Sequence, residues 1–417
     1  MKIAVDLGNQ YVKAVSETGK RVIFRSVIAE GKRRSVFSLT RGKSNLTDSL
    51  QVTFGDGDLE QNFYVGRMAE RFGVLPEYVF GKERFDTESA ERLVLTAVAL
   101  LVENDDPVDL ALDFPYSQFD SVKDTFTKRL VGKTQTVSVK DSAERKVTIR
   151  SVKEFPQGLV AMYALVGKYQ DALSAGDGYI ALVDIGGGTT DVVVLEYFGD
   201  ELSVHEELSG TLAHGMRDLA QTIRRSFEEK TGDMMEADLA ERVVDQGSVY
   251  YGNQTWDFHR EVTHAKQNLA RLIKSQVSDL WGTRKNRIRT VLFVGGGAES
   301  LRDQLEGFHH GELFPTEGQW KNVEGCLIAI SEPAEPTAKQ PSTTVPGPVN
   351  HVQPEPVSAA REAAVTQESN MEVPQAKATV SDEPVQNHVQ KPETTNQAHS
   401  QQTATVPRRF QEGRGAW

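Results

Sequence analysis

Two turns that couple an aspartate to glycine, and a triple glycine that ends a later apolar run, constrain this chain more than any other feature. They read Val5-Asp6-Leu7-Gly8-Asn9-Gln10-Tyr11-Val12-Lys13, Val183-Asp184-Ile185-Gly186-Gly187-Gly188-Thr189-Thr190-Asp191 and Phe293-Val294-Gly295-Gly296-Gly297-Ala298-Glu299. Each follows residues with strand character. Glycine loses more backbone freedom on folding than any other residue, so three in a row between strands point to close approach of another group. Two similar acidic turns in one chain indicate a duplicated fold with a ligand held between the copies.

The flanking segments alternate between strand and helix periodicity. Residues 1–5, 12–16 and 21–27 read as a strand meander, 108–114 as a buried strand stopped by Pro115, and 179–184, 192–197 and 290–294 as further strands. Over 87–103, Leu93, Val94, Ala97, Leu100 and Leu101 recur at helical spacing. Over 215–230, Met216, Leu219, Ile223 and Phe227 share one face, with Gly232 as the cap. Helices are also expected over 157–169, 238–244, 262–281 and 301–308. This alternation implies a layered α/β fold.

Composition changes after Ile330. Residues 331–417 contain no Leu, Ile or Tyr, yet hold 11 of the 16 prolines. Such a segment cannot bury enough apolar surface to offset the entropy of ordering, so a disordered tail is expected there. The net charge of −12 disfavours direct nucleic-acid binding. The single cysteine, Cys326, cannot form an internal disulfide or a thiolate metal centre, which fits a cytoplasmic location. No apolar run approaches the roughly 18 residues that span a bilayer, so no membrane association is expected.

The turns are suited to phosphate. Gly8 leaves room for a phosphate group, and amides over residues 7–10 can point at it. Lys13 is placed to reach the β- and γ-phosphates. Asp6 tolerates phosphate nearby only if a cation intervenes, for which hydrated Mg²⁺ serves. Gly186, Gly187 and Gly188 repeat the arrangement, Thr189 and Thr190 add hydroxyl donors, and Asp184 would share the hydrated metal with Asp6. Gly295, Gly296 and Gly297 either let a purine or ribose lie on backbone or form a tight strand-to-helix turn. Gly132-Lys133-Thr134 and Gly42-Lys43-Ser44 imitate the end of a P-loop but lack its earlier glycine.

Together the three elements resemble the actin-like ATPase superfamily: residues 6–13 its first phosphate motif, 184–191 its second and 295–299 its adenosine motif. Within it, residues 293–301 and Phe155-Pro156-Gln157-Gly158-Leu159-Val160-Ala161 are most similar to the plasmid-segregation actins, the ParM/StbA group. The resemblance covers roughly residues 1–330. It implies two duplicated ribonuclease-H-like domains around a nucleotide cleft. Domain I is expected over 1–165, with a small subdomain at about 31–80 and completion by 305–330, and domain II over 166–304.

The resemblance also implies roles. Gln157 orients the attacking water, with Glu154 as the runner-up. Glu241 or Asp245 binds ribose, and Gly215 approaches the nucleotide, although His214 stands where several relatives have glycine. The implied activity is ATP hydrolysis (GTP is open) coupled to filament formation with Mg²⁺, moving plasmid DNA through a DNA-bound adaptor protein. The alternative is a non-polymerising ATPase or a small-molecule kinase, for which Asp113 is the tempting base.

Overall fold

Each aspartate turn joins the first two strands of its own sheet. The computed structural model describes residues 1–32, 47, 50–55, 59–140, 142–174, 176–198 and 201–332. The expected tail lies outside these residues apart from Ser331 and Glu332, as does part of the expected subdomain at 31–80. The first sheet contains β1 (Lys2–Leu7), β2 (Tyr11–Ser16), β3 (Arg21–Arg25), β4 (Val27–Glu30), β5 (Leu50–Phe54), β6 (Gln61–Val65), β7 (Val74–Tyr78), β8 (Val108–Phe114), β9 (Thr134–Val139) and β10 (Arg145–Pro156). Their order is β3-β2-β1-β8-β10-β9-β5-β6-β4-β7. The second contains β11 (Tyr179–Ile185), β12 (Thr190–Phe198), β13 (Glu201–Val204), β14 (Gly210–Leu212), then, after a separate hairpin of β15 (Ser248–Tyr251) and β16 (Gln254–Asp257), β17 (Ile288–Val294) and β18 (Glu312–Leu313). Its order is β13-β12-β11-β17-β18, with β14 also paired to β12.

The duplication is visible in the connectivity. In each sheet an antiparallel three-strand meander is followed by strands added parallel to the first: β3-β2-β1-β8-β10 and β13-β12-β11-β17-β18. The central strands are near-continuous apolar runs because helices cover both faces. Ile3, Ala4 and Val5 in β1, and Ala181, Leu182 and Val183 in β11, are fully buried.

The helices are α1 (Arg67–Phe72), α2 (Glu88–Leu101), α3 (Phe119–Leu130), α4 (Ala161–Val166), α5 (Gln170–Leu173), α6 (Met216–Thr231), α7 (Ala237–Gln246), α8 (His259–Trp281), α9 (Gly295–Ser300), α10 (Arg302–Leu305) and α11 (Lys321–Ser331). Helix α2 starts where Thr87 accepts a hydrogen bond from the Ala90 amide, and it buries Leu93, Val94, Ala97 and Val98 against the first sheet. Helix α6 buries Leu219, Ile223 and Phe227, and Gly232 closes it in the left-handed conformation, as its sequence predicts. Helix α11 packs on the first sheet: Val323 and Cys326 share a core with Ala4, Ala111 and Val160.

Two helix expectations need correction. The segment 157–169 is not one helix: Gln157 opens the turn just after β10, and α4 starts only at Ala161. Gly158 at φ +78° breaks the path between them. The third glycine turn is not a loop before a helix at 301. It is itself the first turn of α9.

Candidate functional site

The two aspartate turns are the same turn. Gly8 N–H donates to the Tyr11 carbonyl at 3.1 Å, and Gly186 N–H donates to the Thr189 carbonyl at 2.9 Å. Across the hairpins, Asp6 pairs with Lys13 and Asp184 pairs with Asp191. The tips approach each other closely: a Cβ added at Gly187 would lie 2.6 Å from Gln10, and one at Gly188 would lie 3.2 Å from Asn9. Around them is a cleft of about 490 Å³. Among the described residues, the tip amides of Asn9, Gln10, Gly187 and Gly188 donate to no backbone carbonyl outside regular elements, so they are available to an anion.

The floor is crowded with buried charge. Lys13 Nζ donates to Asp6 Oδ2 at 2.8 Å, and Asn322 Nδ2 donates to Asp184 Oδ2 at 2.5 Å. Gln157 Nε2 donates to Asp113 Oδ1 at 2.7 Å and to Asp6 Oδ1 at 3.3 Å. Burial, then the charge of Asp6, pushes the Asp113 carboxyl well above the ordinary range, against the Gln157 bond. Burial also raises Asp184, opposed by Lys13 and Asn322. It lifts Asp191 to about 7, despite the bond from Thr211. Burial works against the Lys13 ammonium, but Asp6 outweighs it and holds the group above its usual value.

Four buried carboxylates thus face two cations, the half-buried Lys13 and the buried Arg84, so the floor fits an added divalent cation. No cluster of three or more His, Cys, Asp or Glu side chains placed to hold a metal occurs among the described residues. A Mg²⁺ ion here would therefore complete its shell with water and ligand oxygens, which suits its reluctance to dehydrate.

The walls are braced across the chain. Arg84 donates through Nη1 to the Gly81 carbonyl at 2.7 Å and to Asn9 Oδ1 at 3.2 Å, and through Nε to the Leu7 carbonyl at 3.3 Å. Burial lowers its guanidinium to about 10. Arg25 of β3 makes a two-pronged pair with Glu241 of α7, and its Nε meets Glu70 of α1 at 2.8 Å. Burial opposes the Arg25 charge, but the Glu241 bonds outweigh it. At Gly295, φ is +85° and a Cβ would lie 2.5 Å from the Ile185 carbonyl oxygen, so only glycine fits.

Asp6, Gly8, Asn9, Gln10, Lys13, Gln157, Asp184, Gly186, Gly187, Thr189, Glu241, Asp245 and the glycines at 295–297 all line the cleft. Three of the expected residues do not. Alternation along β12 turns Thr190 away: it is fully buried, and its hydroxyl donates to the His214 carbonyl at 2.9 Å. Gly188 packs on Asn9, and Gly215 lies behind the second turn against Gly186 and Gly187. Sequence reasoning missed Arg84 and Asn322, and took Asp113 as a candidate base rather than as the partner of Gln157. It also quoted Asp191 without giving it a place on the cleft wall.

The family description "Actin like proteins N terminal domain" matches residues 4–159, and "Archaeal actin homologue MreB-like, C-terminal" matches residues 182–307. No curated protein matches the chain by sequence. Among solved structures, a protomer of a 15-stranded ParM filament from Clostridium botulinum is 26% identical, with a TM-score of 0.72 over 78% of this chain and 97% of that one. A non-polymerisable quadruple mutant of pCBH ParM is 25% identical, with a TM-score of 0.72 over 79% and 98%. The archaeal actin homologue Ta0583, in complex with ADP, shares the fold at 22% identity and a TM-score of 0.66 over 79% and 99%.

Proposed function

The chain belongs to the actin-like superfamily, and on that premise we propose that it is a filament-forming ATPase whose assembly follows the nucleotide held between its two sheets. In this reading, residues 1–165 with 305–330 form one domain and 166–304 the other. The observation that carries the proposal is the pair of equivalent turns facing one cleft, with Lys13 beneath the tips and Gln157 at the floor. The turn amides and Lys13 would bind the phosphates. Asp6 and Asp184 would hold Mg²⁺ through its waters, and the ion would offset the charge of phosphates and carboxylates together. Glu241 and Asp245 stand where a ribose can meet them, and the glycines at 295–297 offer a flat backbone surface to the base.

Gln157 has almost no basicity, so its role would be to orient the attacking water, as glutamine does in some GTPases. Its amide nitrogen faces Asp113 and Asp6, which leaves Oε1 to accept from water. Filament formation is supported by the likeness to a ParM filament protomer. We propose further that the cargo is plasmid DNA, reached through a DNA-bound adaptor, which the acidic balance of the chain suits. Among the described residues no helix is long and apolar enough to cross a membrane. The kinase alternative gains no support, because the carboxylate it would use as base, Asp113, is engaged by Gln157 and Cys326.

The test is light scattering and sedimentation with Mg²⁺ and ATP, ADP, GTP or a slowly hydrolysed ATP analogue, with phosphate release followed in parallel. Assembly with triphosphate followed by release and disassembly is expected. Steady hydrolysis without assembly at any workable concentration would sink the filament reading. In Gln157→Ala, hydrolysis should fall by about 10²-fold, within the range of lost positioning; an unchanged rate would reject the role given to Gln157.

A further inference from the structure

Asp113 lies beneath the cleft floor without lining it, and at 2% exposure it is among the most buried carboxylates of the described residues. It is the penultimate residue of β8, in register with Asp6 on the neighbouring strand β1 and with Phe155 on β10. Its two oxygens have different partners. Oδ1 accepts from Gln157 Nε2 at 2.7 Å, and Oδ2 accepts from the Cys326 thiol at 3.7 Å. Gln157 is fixed from its backbone as well: its N–H donates to the Phe114 carbonyl at 2.8 Å, and the next amide, of Gly158, donates to Asn322 Oδ1 at 3.0 Å.

We propose that Asp113 is a positioning residue for hydrolysis: it holds the Gln157 amide in the one orientation that presents Oε1 to the attacking water. This rests on the reading of Gln157 as the water-orienting residue. A carboxamide can rotate by half a turn with little change of shape, and the two orientations offer opposite hydrogen-bonding partners. With NH₂ toward Asp113 and Asp6, the amide offers an acceptor to water. Reversed, it would offer a donor to water and set its own oxygen against two carboxylates. In the reaction, the water oxygen forms a bond to the γ-phosphorus while the bond from that phosphorus to the β–γ bridging oxygen breaks. The electron pair leaves with ADP, and the water proton ends on the released phosphate. Gln157 exchanges no proton, so its whole contribution depends on orientation.

The arrangement holds in either charge state of Asp113. When ionised, both oxygens accept. When protonated on Oδ2, the carboxyl donates toward the Cys326 sulfur while Oδ1 still accepts from Gln157. An acceptor at Oδ1 is therefore the property required, and a negative charge is not. Of the common replacements, asparagine preserves it, with its oxygen toward Gln157 and its NH₂ toward sulfur. Leucine removes it while keeping the same branched skeleton of four heavy atoms.

The experiment measures ATP turnover at saturating ATP and Mg²⁺, with ADP affinity by fluorescence titration, for wild type, Asp113→Leu, Asp113→Asn, Gln157→Ala and the Asp113→Leu/Gln157→Ala double variant. Expected are a fall in kcat of about 10- to 100-fold for Asp113→Leu, with ADP affinity within about threefold of wild type, well under one decade of binding free energy. Asp113→Asn should recover most of the lost rate, and the double variant should be no slower than Gln157→Ala. An Asp113→Asn as slow as the leucine variant would overturn the proposal, because it would make the charge or proton the active property. So would additive losses in the double variant, or an Asp113→Leu that turns over at the wild-type rate while Gln157→Ala is slow. If Gln157→Ala itself is unaffected, the underlying reading fails instead. ADP affinity reports whether Asp113→Leu is folded; a loss of binding shared by Asp113→Asn would assign the residue to architecture and reject the positioning role.

Discussion

Replacing Asn322 with alanine should loosen the floor of the cleft by a calculable amount. One side chain of α11 makes two bonds: Nδ2 donates to the Asp184 carboxylate at 2.5 Å, and Oδ1 accepts from the Gly158 amide at 3.0 Å. Asn322 and Asp184 are each only 8% exposed, so water cannot freely replace the amide. A bond to a charged acceptor contributes about 1.5–3 kcal/mol and a neutral one about 0.5–1.5, giving an expected loss of about 2–4.5 kcal/mol. The assay is equilibrium urea unfolding without nucleotide or Mg²⁺, with the midpoint shifted at an unchanged denaturant slope.

The loss should also depend on pH. The folded-state Asp184 carboxyl already lies above its ordinary value because of burial, and Asn322 is one of the groups holding it down. Removing the amide raises it further. A raised carboxyl binds its proton more tightly folded than unfolded, so it subtracts stability as pH rises. The gap between variant and wild type should therefore be smaller in acid than at neutral pH. A loss below about 0.5 kcal/mol at pH 7, the range of a featureless surface change, would refute the assignment of both bonds to Asn322.

Two further outcomes follow from the same geometry. Burial lifts Asp191 to about 7, so in the nucleotide-free protein its contribution is fully favourable below about 3.9 and lost as pH climbs to about 7, at most on the order of 4 kcal/mol. Asp191→Asn should flatten that part of the stability–pH curve, and an unaltered slope would show that the carboxyl ionises as easily folded as unfolded. Gly215→Ala would place a Cβ 2.7 Å from the Gly186 carbonyl oxygen and 2.9 Å from that of Gly187, backbone atoms that must move together with the turn. ADP affinity should drop at least about tenfold, or 1.4 kcal/mol, and a titration matching wild type would contradict the close approach.

The parts of the site that could be read from sequence are those whose chemistry is contiguous. Asp6 to Lys13 and Asp184 to Asp191 are hairpins, so glycine and acid, with a base in the first, sit within a few residues of one another and their pattern survives in one dimension. The glycines at 295–297 were legible as a close approach, but not as the opening turn of α9, because glycine is a poor helix former and only the Ile185 backbone beside it explains the choice. Gln157 was found while its local structure was misassigned: apolar spacing over 157–169 suggested a helix, whereas Gly158 at φ +78° leaves Gln157 in the turn just after the strand. Arg84 and Asn322 carry no local signal. Arg84 sits in a short 3₁₀ turn at Lys82–Asp86, and Asn322 in the last described helix, so both reach the cleft only through tertiary packing. Thr190 shows the reverse: its motif is right and its direction wrong, because pleating sends alternate side chains to opposite faces.

The likeness of the two hairpins raises a question of direction. Loops of equal length, closed by the same bond, would make a site with nearly two-fold symmetry if they also carried equal charge, and a row of phosphates could then lie across it in either sense. At the position opposite each aspartate, however, one hairpin carries Lys13 and the other Asp191. That single exchange puts an ammonium on one side of the cleft and a second carboxyl on the other. A linear polyanion crossing it would therefore have one favoured heading, and a duplicated scaffold would hold an asymmetric ligand one way round.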